Sequence, residues 1–525
     1  MPRKTRSAPP LAGVLVLDTG AANIHISCSE GHKDDVCTMP NAIARTRQGV
    51  RRQILVGDCI ETECQDYGEL QLRLPMDRGM VVDWAAQKSV WDRALARTLG
   101  CGSDTFGALH GRSVIMTEPY FALPEQQKAF DMLMFEWYEA ELIWRTIPAQ
   151  LVPWSLTPPR PEVVLVVDIG HSYTHAVPIV KNKVIWDAVR RLDIGGKVLT
   201  SLLKVMFSYR QWDMMDETYL TDKMKMASCF VAACARDNDR RRKPMRGTSP
   251  SNWSFEQLVE LFHDGDDDLD ADALIQHYVL PDYATPEDVA DPNTKYGYVQ
   301  AGPRLPVTTT TTTTTPVLPE DQLDSFVADL HPPTKEQRGN ITVQSDHQVL
   351  CLGQERYQLF ETFFAPDRIG TWGSSWSTYR SMTTGLNQAP LPELIASSIQ
   401  LVQETDLRNM LWSHIVLVGG SARVPGLRRR LQHELRMLAP DDVSVGVHVF
   451  EDPIEAPARG ALALWKESTT SSEARSFLAA HTVSRDAWLQ AGGSQASPGE
   501  RGGTALCDAR FGGWNAPRPS EVDDD

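Results

Sequence analysis

The feature that most constrains this 525-residue sequence is a short motif that occurs twice. The continuous apolar runs Val14–Leu17 and Val163–Val167 predict buried strands. Each run leads directly into an Asp-x-Gly sequence, at Asp18–Gly20 in the first case and at Asp168–Gly170 in the second. Backbone N–H groups at such a glycine turn can surround phosphate oxygens, and two carboxylates can hold a hydrated Mg²⁺. The repeat therefore predicts two similar halves of a protein that face one phosphate group.

A third strand and glycine segment lies further along the chain. Ile415–Val418 predicts another buried strand, and Gly419 and Gly420 at its end would let the backbone approach a flat ligand closely. A single segment of this kind is typical of many tight turns. The three segments in this order, however, resemble the nucleotide site of the actin, sugar-kinase and DnaK-type chaperone fold. The resemblance implies an α/β protein with two actin-like lobes and a nucleotide cleft between them.

The composition is that of a globular protein in a reducing compartment. Hydrophobic residues make up 42% of the chain, and the net charge of −16 argues against a broad basic surface for nucleic acid. The nine cysteines form no CxxC pair, so neither a zinc site nor a disulfide framework is indicated. The basic segment Met1–Pro10 has no apolar core and does not predict a secretory signal. No apolar run reaches the roughly 18 residues that a membrane span needs.

Changes in composition predict a division into lobes and tails. The expected boundaries are 1–10 for a disordered tail, 11–160 with 455–491 for the first lobe, 161–454 for the second lobe, and 492–525 for another disordered tail. Inside the second lobe, 236–345 contains the acidic run Asp264–Asp272 and the consecutive threonines Thr308–Thr315. A segment of this composition buries little apolar surface and predicts a solvated insertion.

Hydrophobic periodicity gives a coarse prediction of the secondary structure. It predicts helices over Gln87–Leu99, Gln126–Ile147, Gly196–Phe207 and Met215–Cys234, with short helices over Phe255–Phe262 and Ala271–Val279 inside the insertion. It predicts short strands over Leu55–Asp58, Leu70–Leu74 and Ser113–Met116. On the helix predicted over 126–147, Trp137 and Trp144 share one face and are expected to belong to the core.

Several segments resemble actin more closely than the kinases or chaperones. They are Leu74–Val81, Thr117–Tyr120 and Thr174–Ile179. Two others, Arg190–Lys197 and Ser208–Tyr219, resemble the actin-related protein six family within the actin superfamily. That family is a nuclear subunit of Swr-type remodelling complexes, which replace nucleosomal histone dimers with dimers that carry a variant histone.

The resemblance assigns residues of this chain to a nucleotide site. The matching positions are Asp18 and Asp168 near the metal, Gly20, Ala21, Gly170 and Ser172 in the phosphate hairpins, Gly196 near the ribose, Lys225 against the adenine, and Gly419 and Gly420 on the adenosine side. The implied cofactor is ATP or ADP with Mg²⁺, which Asp18 and Asp168 would hold through water.

Three positions depart from the actin pattern and argue against hydrolysis. His25 stands where actin has a lysine near the β-phosphate, and His171 stands where it has an aspartate. The water-orienting glutamine of actin falls near Pro148 by ungapped counting, although Gln150 would take the role if a local gap is allowed. His175 matches a histidine near the attacking water, but without its partners a structural role is favoured. We therefore expect a non-enzymatic protein in which any bound nucleotide is structural.

The resemblance also implies partners and a location. The expected partners are a large remodelling ATPase subunit, a small zinc-finger subunit and other remodeller subunits, in the nucleus and secondarily in the cytoplasm. The acidic insertion is either a contact for histones or the nucleosome, or, more commonly for such segments, a solvated loop. A shortened loop between Pro40 and Leu55 and the bulky insertion argue against a homopolymer, and no membrane association is expected. Two alternatives stay open, a nucleotide-hydrolysing enzyme such as a sugar kinase and a polymerising cytoskeletal actin-like protein.

Overall fold

The computed structural model describes most of the chain. The described residues are 13–29, 36–46, 53–68, 70–234, 253–255, 257–258, 275–283, 291, 294–300, 348–366 and 388–493. The tail predicted at 1–10 lies outside these residues, as does the tail predicted at 492–525 except for its first two positions. The acidic run Asp264–Asp272, the threonine run Thr308–Thr315 and the middle of the shortened early loop, 47–52, also lie outside them.

The strands and helices are numbered along the chain. The strands are β1 Val14–Thr19, β2 Asn23–Cys28, β3 Cys37–Pro40, β4 Ile43–Arg45, β5 Ile54–Val56, β6 Gln71–Arg73, β7 Met76–Asp77, β8 Met80–Val81, β9 Ser113–Thr117, β10 Leu142–Thr146, β11 Val163–Ile169, β12 Thr174–Val180, β13 Lys183–Val184, β14 Arg190–Leu192, β15 Gln276–Val279, β16 Tyr298–Gln300, β17 Val349–Leu352, β18 Ile415–Val418, β19 Val447–Val449 and β20 Val483–Ser484. The helices are α1 Cys59–Thr62, α2 Trp84–Leu99, α3 Pro124–Met132, α4 Pro148–Ser155, α5 Gly196–Arg210, α6 Thr218–Ser228, α7 Glu355–Glu361, α8 Leu391–Gln400, α9 Thr405–Ser413, α10 Leu427–Leu438, α11 Ala456–Thr470, α12 Ser472–His481 and α13 Arg485–Gln490.

Two sheets have the same arrangement, which explains the repeated motif. One runs in the order β20-β10-β9-β1-β2-β3, and the other in the order β13-β12-β11-β18-β19 with β14 beside β12. In each sheet the strand that precedes Asp-x-Gly, β1 or β11, pairs antiparallel with the following strand and parallel with a later one, β9 or β18. This duplicated α/β architecture confirms the predicted actin-like fold with two lobes.

The two central strands are buried on both faces, which is why the sequence shows unbroken apolar runs there. Every residue of β1 is buried, and in β11 Asp168 alone is only half-buried. Separate apolar cores cover the two sheets, one around Trp91 and Phe130 and the other around Phe207 and Phe360. Each such side chain contributes roughly 1.5–3 kcal/mol when it is fully buried.

Helix α4 joins the two sheets. Its Leu151 packs in a cluster with Val16 of the first sheet, while its Val152 packs with Val166 of the second. Helix α11 lies so close to α4 that a Cβ at Gly460 would be 2.0 Å from the Leu151 carbonyl oxygen. A side chain therefore does not fit at Gly460 without separating the two helices.

The helix predicted over Gln126–Ile147 is wrong in its second half. Helix α3 ends at Met132, a π-helical turn follows at Leu133–Trp137, and Glu139 then has a φ of 58°, which interrupts the helical backbone. The following strand β10 is buried inside its sheet, where a short apolar run has no alternation that distinguishes a strand from a helix. Trp144 is consequently a fully buried strand residue, whereas Trp137 is 39% exposed and does not belong to the core.

Part of the segment predicted as a solvated insertion, 236–345, belongs to the folded structure. Strands β15 and β16 form a small sheet with β17 in the order β16-β15-β17. The helix predicted over Ala271–Val279 is therefore wrong, since Gln276–Val279 is a strand.

The helix predicted over Met215–Cys234 is also shorter than expected, because α6 ends at Ser228. Within the described residues, no helix has the length and apolar character that a bilayer crossing requires.

Candidate functional site

The Asp-x-Gly motifs and the glycine pair line one cavity at the ends of β1, β11 and β18. Its volume is about 450 Å³, within the range typical of small-molecule sites. All ten residues predicted from the resemblance line this cavity: Asp18, Gly20, Ala21, Asp168, Gly170, Ser172, Gly196, Lys225, Gly419 and Gly420. The fold thus brings together residues that are separated by up to 402 positions in the sequence, from Asp18 to Gly420.

The two carboxylates of the repeated motif each accept a hydrogen bond from a neighbouring hydroxyl. Thr117 Oγ1 donates to Asp18 Oδ1 over 2.6 Å, and the Tyr120 hydroxyl donates to Asp168 Oδ2 over 2.9 Å. Burial raises the pKa of Asp168 to about 6, while the Tyr120 hydrogen bond lowers it and the charge of Asp18 raises it. Burial likewise raises the pKa of Asp18, against the lowering effects of His25 and Thr117. Two neighbouring carboxylates, Asp18 buried and Asp168 half-buried, favour a bound cation, whose charge would offset their partial desolvation.

Burial keeps two histidines that line the cavity, His171 and His175, uncharged at neutral pH. Burial lowers the pKa of His171 to about 4, with opposing contributions from Asp222, which raises it, and Lys225, which lowers it. Burial also lowers the pKa of His175 to about 3. The His175 ring stacks on Tyr120 with 4.0 Å between the ring centroids, which fits a structural role. His25 is buried, and its Nδ1 lies 2.8 Å from Thr38 Oγ1.

Gln150 does not take the place of a water-orienting glutamine. Its Oε1 accepts a hydrogen bond from Thr146 Oγ1 over 2.7 Å, and its Nε2 donates to the carbonyl oxygen of Asn182 over 3.2 Å. The residue of this region that lines the cavity is Pro148, which has no side-chain hydrogen-bonding group. The side-chain amide of Gln150 is thus engaged within the protein.

A lysine and an aspartate that are three residues apart on α6 form the polar wall on the opposite side. The buried Lys225 Nζ donates to Asp222 Oδ1 over 2.6 Å, to Thr200 Oγ1 over 2.7 Å and to the Gly196 carbonyl oxygen over 3.3 Å. Burial raises the pKa of Asp222, but the charge of Lys225 and the hydrogen bonds from Lys225 and Thr200 together lower it below its usual value, so the carboxylate is ionised at neutral pH. This network fixes the start of α5 against α6.

Gly419 is required by the close packing of β18 on β11. Its φ is 91°, and a Cβ there would lie 2.4 Å from the Ile169 carbonyl oxygen. At the neighbouring Gly420, by contrast, a Cβ would meet nothing within 4 Å, because that position opens into the cavity.

Several cavity residues carry polar atoms that a ligand would satisfy. Thr19 Oγ1, Tyr173 Oη and His175 Nε2 are buried and have no hydrogen-bond partner among the described residues. Buried polar atoms are normally paired, so a ligand or water is expected at these atoms. The residues therefore fit a nucleotide with Mg²⁺. The described residues contain no cluster of three or more metal-ligating side chains, so a metal would be held through water by Asp18 and Asp168.

The sequence reasoning overlooked Tyr120 and Asp222 as members of this site. Tyr120 belongs to a segment that already resembled actin, and Asp222 precedes Lys225 at helical spacing. That spacing was a usable signal, because residues three apart on a helix are neighbours. The contact between Tyr120 and Asp168 joins positions 48 apart, and no local pattern predicts it.

The fold and the cavity define a protein of the actin class, and comparison with known proteins agrees. The family model described as Actin matches residues 11–465. The chain is 30% identical over 97% of its length, and over 86% of the relative, to Actin-like protein ARP6 of Cryptococcus neoformans. It is 28% identical to Actin-related protein 6 of Drosophila melanogaster, over 89% of this chain and 95% of the relative. It is 30% identical to Actin-like protein ARP6 of Yarrowia lipolytica, over 84% and 87% respectively. The chain therefore belongs to the actin family and, within it, to the actin-related protein six family.

Proposed function

We propose that this chain is a non-catalytic, actin-related scaffold subunit of a Swr-type chromatin remodelling complex. Such a complex exchanges a nucleosomal core histone for its variant form and so takes part in transcription regulation. The observation that carries this proposal is the similarity to proteins named actin-related protein 6 along nearly the whole chain. The proposed location is the nucleus, with the cytoplasm as a second compartment.

The proposal assigns a structural role to ATP or ADP with Mg²⁺. Asp18 and Asp168 would hold the hydrated metal, which neutralises phosphate charge, and the glycine turns would face the phosphates. Orienting an attacking water is a main contribution of protein groups in phosphoryl transfer. Here Pro148 lines the cavity in place of such a group, and Gln150 is bonded to Thr146 and Asn182. A nucleotide held in this way stabilises the folded protein by mass action.

The partners in this proposal are a large remodelling ATPase subunit, a small zinc-finger subunit and further remodeller subunits, with histones or the nucleosome as an additional contact. A homopolymer and a membrane are not among the expected partners. A subunit without turnover of its own is supported by Pro148, which lines the cavity where the resemblance places the water-orienting glutamine, and by Gln150, whose amide is engaged with Thr146 and Asn182.

Affinity purification of the tagged chain from nuclear extract, followed by mass spectrometry, tests this proposal. A conventional actin with the same tag is the matched control. We expect the tagged chain to recover a large remodelling ATPase and a zinc-finger subunit in amounts comparable to its own. We do not expect the control to recover both in such amounts. Recovery of the chain alone, or of a sedimentable polymer, would contradict the scaffold function.

A further inference from the structure

Four tyrosines from distant parts of the chain pack together beside the cavity. Tyr67 follows α1 in the first lobe, Tyr219 lies on α6 in the second, and Tyr283 and Tyr296 belong to the segment between β15 and β16. Tyr67 is the centre of this tyrosine cluster, because the centroid of its ring lies 5.6 Å from that of Tyr219, 6.0 Å from that of Tyr283 and 5.0 Å from that of Tyr296. Tyr67 is 1% exposed and is buried in a cluster that combines residues of its own lobe, such as Ile60 and Leu70, with the tyrosines of the opposite lobe.

Glu61, which lies on α1 six residues before Tyr67, is held by the same two segments of the second lobe. Its Oε1 accepts hydrogen bonds from the Tyr219 hydroxyl and from Lys223 Nζ, both over 3.0 Å. Its carbonyl oxygen accepts a hydrogen bond from Lys295 Nζ, also over 3.0 Å. Lys223 and Lys295 in turn lie over the ring of Tyr296, at 4.8 Å and 4.7 Å from its centroid. Stacked rings and lysines above them attract each other beyond the effect of burial.

The cluster shares a helix with the cavity. Asp222 and Lys225 of α6 line the cavity, while Tyr219 and Leu220, one turn earlier, pack against residues of the first lobe in the cluster. Another ion pair between the lobes near this opening, Lys197 with Asp77 at 2.8 Å, has both side chains about half exposed. An exposed pair of this kind contributes little to holding two lobes together.

We propose that the tyrosine cluster and Glu61 form a clasp that keeps the two lobes closed and so retains a nucleotide in the cavity. Where it concerns the nucleotide, the inference rests on the proposed function. Separating the lobes would move Tyr67 away from α6, expose its ring and break the hydrogen bonds to Glu61. Three described residues of the segment 236–345, Tyr283, Lys295 and Tyr296, belong to the clasp and would help to keep the cavity closed.

Two substitutions remove the clasp in different ways, and one serves as a control. Tyr296→Leu keeps an apolar side chain but removes the ring that contacts Tyr67 and both lysines. Glu61→Gln keeps the shape of the side chain but removes its charge. Glu63→Gln removes a charge from an exposed position in the same segment and is the matched control. The full-length proteins are compared by amide hydrogen exchange over residues 59–68 and by release of a fluorescent ATP analogue.

We expect faster amide exchange over 59–68 in Tyr296→Leu and Glu61→Gln, with the control at the wild-type level. We expect release of the analogue to be about tenfold faster in Tyr296→Leu, the change that follows when a barrier falls by the contribution of one or two aromatic pairs. Release should also be faster in Glu61→Gln, because the hydrogen bonds from Tyr219 and Lys223 no longer end on a charged group. Wild-type exchange and wild-type release in both variants would overturn the clasp. If even the wild-type protein binds no nucleotide, the nucleotide part of the proposed function fails, and amide exchange alone still decides whether the clasp exists.

Discussion

Replacing Arg145 tests how much its buried ion pairs stabilise the first lobe next to the cavity. Its side chain is fully buried on β10, and it pairs with Glu118 and with Asp131, whose side chains are 1% and 3% exposed. Its Nη1 lies 2.7 Å from Asp131 Oδ1 and donates to the Gln127 carbonyl oxygen over 2.6 Å. Glu118 also lines the cavity, so the network links the lobe's interior to the site.

Replacing this arginine by methionine leaves two buried carboxylates without their cation. Removing one partner of a buried ion pair typically costs about 3–5 kcal/mol, because the remaining charge is buried without compensation. Arg145→Met should therefore lose about 3–5 kcal/mol, a large part of the roughly 5–15 kcal/mol that stabilises a typical protein. Lys181→Met, which removes an ion pair with both side chains more than 70% exposed, should cause no resolvable change.

Urea unfolding followed by tryptophan fluorescence measures the loss, since Trp91 and Trp144 are buried in the same lobe. A loss below about 1 kcal/mol would refute this reasoning.

Four further outcomes follow from the cavity. Gly419→Ala should destabilise the protein by at least about 2 kcal/mol in chemical unfolding, because the new Cβ would lie 2.4 Å from the Ile169 carbonyl oxygen. Gly420→Ala is the control and should be near neutral, because a Cβ at that position has no atom within 4 Å. Lys225→Met should weaken nucleotide binding at least about tenfold in calorimetry, since α5 loses its anchor on α6; unchanged affinity would contradict that role. Gln150→Ala should lower the melting temperature, through loss of its buried hydrogen bonds, and leave the rate of phosphate release unchanged. Burial lowers the pKa of His171 to about 4 in the folded protein, below its value of about 6.5 in the unfolded chain. Between these two pH values the unfolded chain binds a proton that the folded protein does not, so stability should decline as pH falls from about 6.5 towards 4. Unfolding of His171→Asn should be less sensitive to pH over that range, and an equal pH dependence would show that His171 is not the group responsible.

The nucleotide-site residues could be predicted because they follow strand ends in the sequence. A buried parallel strand leaves a continuous apolar run, and the residue after it lies at the edge of the sheet, so Asp18, Asp168 and Gly419 were placed by their position alone. The same reasoning did not identify strand β10, because its apolar residues directly continue the helical pattern of the preceding segment. Nothing in the local sequence showed that Glu139 adopts a positive φ and ends that helix.

The clasp could not be predicted from the sequence, for a different reason. Tyr67, Tyr219 and Tyr296 meet across 229 positions of the chain, from Tyr67 to Tyr296, and the last of them belongs to a segment of low apolar content. Composition predicted correctly that this segment is polar, but a few aromatic side chains were enough to fix part of it against the opposite lobe. Pairwise contacts of this kind depend on the closed fold and leave no periodic pattern.

The most direct measurement is a single-turnover assay on the purified full-length chain loaded with ATP labelled at the γ-phosphate and with Mg²⁺. Bound label and released phosphate are followed together, with the melting temperature recorded at each nucleotide concentration. A structural nucleotide predicts stable binding, a melting temperature that rises with ATP concentration, and retention of the label as ATP over hours. Rapid release of labelled phosphate from the bound ATP would contradict the non-catalytic function, and absence of binding would contradict the nucleotide site itself.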